Sequence, residues 1–348
     1  MKRQLVATLL AVPLAGAVLT AAPANAEPPD ITVDSVLINR PSVAVAGLNT
    51  VPVTITVKGS ITDGDPSRTD TPLYADLKRS GSVPANIDYL WSDSLKMVSG
   101  NETNAVWQGK VNVPSTANGS LKITGLNIGT FDPASGSNIP PTPVNGPAIQ
   151  VTGVHQPKFT AAPTPSIAKP GTAVTIRWQV TDSDTKKPYG TRLRVIVADD
   201  NGCVERVGGA GSVLTDTNGV ILNKTVSDDA IHCLLIPGSQ APIGGTSILL
   251  RHPGVVTAVP SRTSAPVGTI VPVNGVVKVA PLYCPVNLQR LYGATAWRTV
   301  STVKTDSRKR YTLKAQPAYK GRIPYRVQFP TCSNYVTAVS PTFWIIGT

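Results

Sequence analysis

The residues of this chain best suited to catalysis are its three histidines, His155, His232 and His252. None stands in a G-x-S-x-G or H-E-x-x-H pattern, the patterns that place a nucleophile or a zinc ion beside a histidine in hydrolases. A Ser-His-Asp triad forms in space and not in sequence, so it stays open as an alternative. We predict no catalytic residues, and we expect the three histidines to lie in loops or at strand edges.

Aspartates at short spacing are the second group that could bind a ligand. Calcium takes six to eight oxygen ligands, and extracellular calcium sites are often weak. The acidic pairs lack EF-hand spacing, and aspartates in turns commonly accept local hydrogen bonds instead. No cofactor other than calcium is expected. If calcium binds, we expect the loop of Asp63, Asp65 and Asp70 to hold it, ahead of the pairs Asp182/Asp184, Asp199/Asp200 and Asp228/Asp229.

The four cysteines are candidates for disulfides, because exported chains fold in an oxidising compartment. Four cysteines allow three connectivities. Their order favours Cys203–Cys233 and Cys284–Cys332, since each pair then falls within one candidate domain. A metal site is less favoured, because no two cysteines have C-x-x-C spacing. Each bridge is expected to stabilise its domain by about 3–4 kcal/mol.

Residues 1–26 have the pattern of a secretory signal peptide. Lys2 and Arg3 precede an apolar run, and Ala24-Asn25-Ala26 matches the small-residue cleavage rule. An uncleaved membrane anchor is the alternative. No later run is apolar for long enough to span a bilayer, so the mature chain is predicted to have no membrane span. We therefore predict a secreted, extracellular protein, with association to the cell wall as one form of that location.

The positive charge of the chain is concentrated near its end. Residues 265–348 hold eleven Lys and Arg against one acidic residue, a formal net charge of +10. Residues 27–154 hold eight against eleven (−3), and residues 155–264 hold eleven against eight (+3). Such a field concentrates polyanions near the surface and weakens as salt is added.

Residues 310–315 and 322–329 alternate between polar and apolar side chains. Their cations, Arg310, Lys314, Arg322 and Arg326, lie on the side opposite to the apolar residues. If the two strands pair, they form one basic sheet face that would contact wall teichoic acids, acidic phospholipid headgroups or extracellular DNA. The alternative is a solvated face that only aids solubility. Aromatic residues do not interleave on that face, since Tyr311 and Tyr325 share parity with the core, so base stacking is not supported. The candidate polyanion-binding residues are Arg308, Lys309, Arg310, Lys314, Arg322 and Arg326.

Period-two alternation of β-branched and aromatic residues indicates antiparallel strands throughout the chain. The 32 Pro and 29 Gly favour turns over helices. We predict an all-β chain of tandem antiparallel Ig-like β-sandwiches, divided at 27–154, 155–264 and 265–348. Residues 62–100 lack clear periodicity, which indicates a long polar insertion in the first domain, either functional or locally disordered.

The last quarter of the chain also resembles a known class of domain. Its pattern V-x-L-Q-R, W, V-x-T, T-D, R-Y-T-L and Y-R-V resembles Ig-like domains of secreted actinobacterial proteins. The turn before R-Y usually contains glycine there, whereas this chain has Arg308-Lys309. The resemblance implies an Ig-like fold and an extracellular location rather than one function. Its positions are Val286, Leu288, Gln289, Arg290, Gly293, Trp297, Val300, Thr302, Thr305, Tyr311 and Tyr325.

The sequence thus favours a secreted, non-catalytic protein of the cell envelope that acts in binding, adhesion or spacing. Its basic last domain would contact an anionic cell-wall polymer or another acidic surface, and the first two domains would act as spacers or bind a protein partner. One alternative is a secreted enzyme, or enzyme accessory protein, with its site in the 62–100 stretch. Another is an adhesion rod that calcium stabilises.

Overall fold

The computed structural model describes residues 31–82, 85–128, 141–198, 211–239, 241–293 and 295–348. Within these ranges the chain is made of strands, with one 3-10 turn at Ser115–Ala117. No helix in the described ranges is long and apolar enough to cross a membrane. The predicted signal peptide and Cys203 lie outside the described residues.

The first sandwich has two sheets, in the orders β1-β3-β7-β6 and β2-β10-β8-β4-β5, with β9 paired to β8. Most neighbours are antiparallel, but β2 and β10 run parallel. The strands are β1 Ile31–Ile38, β2 Ser42–Ala46, β3 Thr50–Ile61, β4 Leu73–Ser80, β5 Tyr89–Trp91, β6 Lys96–Asn101, β7 Asn104–Pro114, β8 Gly119–Ile128, β9 Thr142–Pro143 and β10 Ala148–Val154.

The second sandwich has a three-stranded sheet, β11-β12-β15, and a four-stranded sheet, β14-β13-β16-β17. On β12 the predicted alternation is present, since Val174, Ile176, Trp178 and Val180 are buried. The strands are β11 Pro157–Thr164, β12 Ala173–Asp182, β13 Arg194–Ala198, β14 Val213–Leu214, β15 Val220–Val226, β16 Ile231–Ile236 and β17 Gly244–Leu249.

The third sandwich has a three-stranded sheet, β19-β21-β24, and a six-stranded sheet, β20-β28-β25-β22-β23 with β27 paired to β25. A two-stranded sheet, β18-β26, joins it to the end of the second sandwich. The strands are β18 His252–Pro253, β19 Val259–Pro260, β20 Ser264–Ala265, β21 Val271–Val276, β22 Pro285–Tyr292, β23 Ala296–Lys304, β24 Arg310–Ala315, β25 Gly321–Phe329, β26 Tyr335–Val336, β27 Ala338–Val339 and β28 Phe343–Gly347. Because β19 and β20 belong to it, this sandwich begins before residue 265.

The 62–100 stretch is not the long insertion that its polarity suggested. It contains β4, β5 and β6, which complete both sheets of the first sandwich. On β4 the alternation is present, with Leu73, Ala75 and Leu77 buried, because the extra residue of its register shift lies on the partner strand β8. On β6 the alternation is hidden by a bulge between Met97 and Ser99. A bulge of this kind moves the following side chains to the other face and so interrupts a period of two.

Each sandwich is held together by its own apolar core. Trp107 in the first and Trp178 in the second are fully buried, and Tyr325 and Phe329 fill the third. Ala241, in the loop between β16 and β17, packs into the core of the first sandwich instead of the second. The first and second sandwiches are therefore joined by apolar packing as well as by the chain.

Candidate anionic-polymer interface

The six predicted basic residues are divided between the two sheets of the third sandwich. Arg310 and Lys314 lie on β24, at the edge of the three-stranded sheet, where they are exposed. Arg322 and Arg326 lie on β25, inside the six-stranded sheet. The outward sides of two packed sheets point in opposite directions. The expected single basic face is therefore two faces, because β24 and β25 follow each other in sequence but cross from one sheet to the other.

The turn before β24 is organised by Asp306, the one acidic residue of the range 265–348. Its Oδ1 accepts hydrogen bonds of 2.8 Å from the backbone N–H groups of Arg308 and Arg310. The Arg310 N–H bond in particular holds the pKa of Asp306 below its ordinary value. The Arg310 guanidinium also lies 3.3 Å from Asp306 Oδ2. Arg308, Lys309, Arg310 and Lys314 are called the β24 face below.

The second sandwich contains the same turn at the same place. Asp216 Oδ1 accepts hydrogen bonds from the N–H groups of Asn218 and Val220, at 2.9 and 2.7 Å. Gly219 has φ 70°, and the equivalent Lys309 has φ 59°. Thr215-Asp216 and Thr305-Asp306 thus begin the same kind of turn, in which Lys309 takes the left-handed position that Gly219 holds in the second sandwich.

The outward face of the six-stranded sheet carries two arginines stacked on tryptophans. The guanidinium carbon of Arg322 lies 3.9 Å from the ring centroid of Trp344, and that of Arg326 lies 4.3 Å from that of Trp297. Arg326 also donates from Nε to Gln289 Oε1 at 2.8 Å. We call Arg322, Trp344, Arg326 and Trp297 the stacked face.

A second group of cations surrounds Tyr292 at one end of the same sheet. The guanidinium carbons of Arg290 and Arg298 lie 4.4 and 5.0 Å from the Tyr292 ring centroid. Arg290 also donates a hydrogen bond to the Tyr292 hydroxyl. Four of the eleven cations of the range 265–348 are therefore in contact with aromatic rings.

Sequence reasoning missed the tryptophans of the stacked face. Trp297 and Trp344 lie on β23 and β28, whereas their arginines lie on β25. Arg326 reaches Trp297 across β22, which lies between β25 and β23. A local signal did exist for Trp344, because it has the opposite parity to the buried Ile345 and is 39% exposed.

The predicted calcium loop is not brought together as a ligand set. Asp65 Oδ1 instead accepts from the N–H and the hydroxyl of Ser67, at 2.8 and 2.7 Å. These Ser67 bonds lower the pKa of Asp65. The Asp65 N–H donates to the buried carboxylate of Glu102 at 2.7 Å. Calcium binding by Asp63, Asp65 and Asp70 remains a prediction.

In the described part of the chain, one group of three side chains has the spacing of metal ligands. His155, Asp182 and Asp184 each offer an atom, and these atoms lie within 4.8 Å of one another. His155 Nδ1 lies 2.8 Å from Asp182 Oδ2 and 3.7 Å from Asp184 Oδ2. His155 follows β10 in the two-residue link to β11, so these contacts fix the link between the first two sandwiches.

A Ser-His-Asp arrangement is present in the second sandwich, but it is enclosed. Ser227 Oγ lies 3.2 Å from His252 Nδ1, and Asp229 Oδ1 lies 3.3 Å from His252 Nε2. Ser227 is 1% exposed and His252 is fully buried. Nδ1 also lies 2.9 Å from the carbonyl oxygen of Ala168. A substrate therefore has no access to Ser227 Oγ, and the bonds of His252 connect Ala168, Ser227 and Asp228 inside the fold.

The expectation that the histidines lie in loops or at edges is wrong for one of them, because His155 lies in a link and His252 on the edge strand β18. His232 is fully buried on β16, which has strands on both sides, and its Nε2 lies 3.1 Å from Asp228 Oδ1. His252 is buried at the junction with the third sandwich. The His–carboxylate contacts of the described residues all lie outside the 62–100 stretch.

The Cys284–Cys332 disulfide is present, as predicted, with the two Cα atoms 6.1 Å apart. It links the start of β22 to the segment before β26 and lies at the core of the third sandwich. Cys233 is buried on β16. Because Cys203 lies outside the described residues, the Cys203–Cys233 pair remains a prediction.

The first two sandwiches are joined by side chains from the 62–100 stretch. Asn86 accepts from the Gly245 N–H at 2.6 Å and donates to the Gly245 carbonyl at 2.7 Å. A groove of about 470 Å³ lies beside this contact, with Asp88, Tyr89 and Trp91 on one side and Thr246 on the other. No histidine is among the residues that line it.

No protein-family model matches the chain, and no curated protein matches its sequence. Among solved structures, the Escherichia coli adhesin FdeC is similar at 12% identity and a TM-score of 0.27, covering 91% of this chain and 98% of that one. A tetra-tandem repeat from the extending region of a large adhesion protein is similar at 14% identity and a TM-score of 0.28, covering 87% and 74%. The ICAM-5 D1–D4 ectodomain fragment is similar at 11% identity and a TM-score of 0.27, covering 90% and 77%.

These TM-scores lie below 0.5, so the fold class of this chain follows from the arrangement of its own strands. Three antiparallel sandwiches follow one another, each with two facing sheets and its own core. The chain is a tandem array of Ig-like β-sandwiches. Its surface chemistry, and not its fold, must then indicate the function.

Proposed function

We propose that this chain is a secreted, non-catalytic protein of the cell envelope that binds anionic polymers through its third sandwich. The observation that carries the proposal is the formal charge of +10 over residues 265–348, with Asp306 as the one acidic residue. That carboxylate is already engaged by the turn before β24. The remaining cations have no acidic residue within the range 265–348 to neutralise them, so the field around this sandwich is strongly positive.

The first and second sandwiches act in this proposal as spacers, or as sites for a protein partner. Support comes from the two junctions, where side chains bridge neighbouring sandwiches. Asn86 bonds Gly245 at the first junction. Asn334 bonds Asp229 at the second, at 2.9 Å. Bonded junctions restrict the rotation of neighbouring domains, which suits a spacer.

The test is retention of the whole mature chain on isolated cell walls as salt is varied. We expect retention at low salt and release at high salt, because counterions screen exposed charges over about 10 Å at 0.1 M and about 3 Å at 1 M. Walls stripped of their anionic polymers are the matched control and should retain much less protein. Retention that does not change with salt concentration, or no retention at all, contradicts the proposal.

A further inference from the structure

The stacked face is one continuous side of the six-stranded sheet. Arg322, Pro324 and Arg326 occupy the alternate positions to the core residues Ile323, Tyr325 and Val327, so by parity they share the outward side, where Pro324 is itself buried. Trp344 lies directly opposite Pro324 in the ladder and therefore shares that side as well.

The other end of the face is fixed in the same way. Gln289 pairs with Arg326 in the ladder and accepts its Nε–H. Leu291, two residues further along β22, pairs with Trp297. Since residues two apart on a strand share a side, Trp297 lies on the side of Arg326. The two Arg–Trp stacks thus stand along one strand, four residues apart.

Stacking prepares these guanidinium groups to bind oxyanions. A guanidinium that lies flat on an indole is held in place and loses part of its hydration. Its N–H donors point outward in its own plane, where a phosphate can accept two of them side by side. On Arg326 the Nε–H is used by Gln289, which orients the group and leaves its terminal nitrogens for a ligand. Less side-chain entropy remains to be lost on binding.

We propose that the stacked face binds a linear phosphodiester polymer of a small polyol, with Arg322 and Arg326 each taking one phosphate. This inference rests on the proposed function and names its ligand and its residues. The β24 face adds long-range attraction but lacks stacked aromatic rings, so it supplies charge without specific geometry. The polymer lies along β25, so that its phosphates meet the two stacks in turn.

One observation favours a polyol phosphate over a nucleic acid. Each indole has one face covered by a guanidinium, so it is not an open platform for a base to stack on. The spacing of the two stacks fits a phosphodiester chain in general: residues four apart on a strand are about 13 Å apart. A glycerol phosphate repeat has six backbone bonds, as a nucleotide and two peptide residues do, and so spans about 7 Å when extended. Alternate phosphates of such a chain therefore match the two arginines.

The experiment measures the affinity of the full mature chain for poly(glycerol phosphate) at fixed salt. The test variant is Arg322→Gln with Arg326→Gln, and the control is Lys309→Gln with Lys314→Gln, which removes the same charge from the β24 face. We expect the test variant to lose about tenfold or more in Kd per arginine, since a charge-assisted hydrogen bond contributes about 1.5–3 kcal/mol. The control should lose only a few-fold through weaker attraction.

Two variants that keep the positive charge separate the effect of geometry from that of charge. Arg322→Lys with Arg326→Lys should also weaken binding several-fold, because an ammonium cannot stack or bind a phosphate side by side. Arg308→Lys on the β24 face should leave the Kd unchanged. Thermal unfolding confirms that all variants keep the fold.

Three results overturn the inference, and they differ from failure of the proposed function. Equal losses in the test and control variants would remove the stacked face as the site while leaving salt-dependent wall binding intact. Full affinity of the variant Arg322→Lys with Arg326→Lys would also show that the stacked face is not the specific site. Tighter binding of single-stranded DNA with equal phosphate count would show the ligand class to be wrong. If the unmodified chain bound neither the polymer nor cell walls, the result would contradict the proposed function itself.

Discussion

The Tyr335 hydroxyl of the third sandwich lies 3.2 Å from both carboxylate oxygens of Asp229 in the second. Burial raises the pKa of Tyr335 to about 12, and the Asp229 carboxylate adds to the rise. The phenol therefore keeps its proton and donates to Asp229 throughout the physiological range. Because the Tyr335 ring also lies 5.0 Å from that of His252, one aromatic side chain closes the junction by contact and by hydrogen bonding.

Removing this hydroxyl should loosen the second junction. We expect Tyr335→Phe to lower the free energy of unfolding by about 1 kcal/mol, since the hydrogen bond that is lost goes to the Asp229 carboxylate, which is 67% exposed and stays hydrated, while the ring is kept. Thermal unfolding measures the change, and small-angle scattering should show a wider range of domain orientations. Tyr319→Phe is the control, because Tyr319 is 50% exposed. Equal effects from the two variants would contradict the role of Tyr335.

The turn before β24 should gain stability when its left-handed residue becomes glycine. Lys309 has φ 59°, which costs a side-chain-bearing residue about 1–2 kcal/mol. Lys309→Gly removes this strain, but glycine also raises the entropy of the unfolded chain, which offsets part of the benefit. We therefore expect the free energy of unfolding, measured with denaturant, to rise by about 0.5–1 kcal/mol. Lys309→Ala removes the same charge but keeps the strain, and it should give no such gain.

The equivalent change in the second sandwich should have the opposite sign. A Cβ on Gly219 would lie 2.3 Å from the carbonyl oxygen of Val180, and the residue has φ 70°. Gly219→Ala is therefore expected to cost more than about 1 kcal/mol, through both strain and the clash. A neutral or stabilising result in denaturant unfolding would show that this turn relaxes at little cost.

Asp76 should make the stability of the first sandwich depend on pH. Burial raises the pKa of this carboxyl, and a hydrogen bond from Asn127 lowers it only in part. A raised folded-state pKa means that the stabilising contribution is complete below the unfolded-state pKa and is lost as pH rises through the folded one. Asp76→Asn mimics the protonated acid, so we expect a higher Tm near pH 7 and little change near pH 3.

Two outcomes decide the pH prediction. A gain in Tm that is equal at both pH values would place the cause in packing and not in titration. A loss of Tm near pH 7 would mean that the ionised carboxylate stabilises the sandwich. Asp88→Asn is the control for general charge effects, because the Asp88 side chain is 66% exposed, although it pairs with Arg79.

The Cys284–Cys332 bridge should account for a large part of the stability of the third sandwich. It closes a loop with a sequence separation of 48 residues. The loop-entropy model gives about 4 kcal/mol for a loop of that size. Cys284→Ala with Cys332→Ala should therefore lower the denaturant midpoint strongly and weaken polymer binding near the melting point. An unchanged midpoint would show that packing alone holds this sandwich.

The first junction should depend on Asn86. Its side chain pairs with Gly245 as a strand would, through one bond in each direction. These bonds are solvent-exposed, so we expect Asn86→Ala to change unfolding by less than about 1 kcal/mol while increasing cleavage in limited proteolysis. Asn49→Ala is the control, since Asn49 bonds only Ala46 within the first sandwich. Equal cleavage of both variants would show that the Asn86–Gly245 bonds do not hold the first junction.

Long strands with regular alternation were predictable. The inward residues of β12 and β25 behave as their period of two predicts. In the 62–100 stretch a bulge breaks the period of β6, whereas β4 alternates from Leu73 to Leu77 and was overlooked between polar turns. A short strand beside polar loops was therefore harder to recognise than a long one.

The local sequence pattern could not predict which strands pair with each other. Parity placed Arg310 and Arg322 outward, and both are exposed. It could not show that β24 and β25 enter different sheets, because strand pairing depends on contacts far apart in sequence. The stacked face was missed for the same reason, since its arginines and tryptophans meet only after β28, β25, β22 and β23 assemble.

The parallel pairing of β2 with β10 has a mechanical consequence. Ser42 lies beside Gln150 and Ala46 beside Val154, so the start of one strand and the end of the other lie at opposite ends of the pair. In the third sandwich, β20 and β28 are also parallel. A pull on the two ends of such a pair slides the strands past each other, so it loads all their bonds at once instead of opening them singly. Tension applied along the chain would therefore meet its main resistance at these strands.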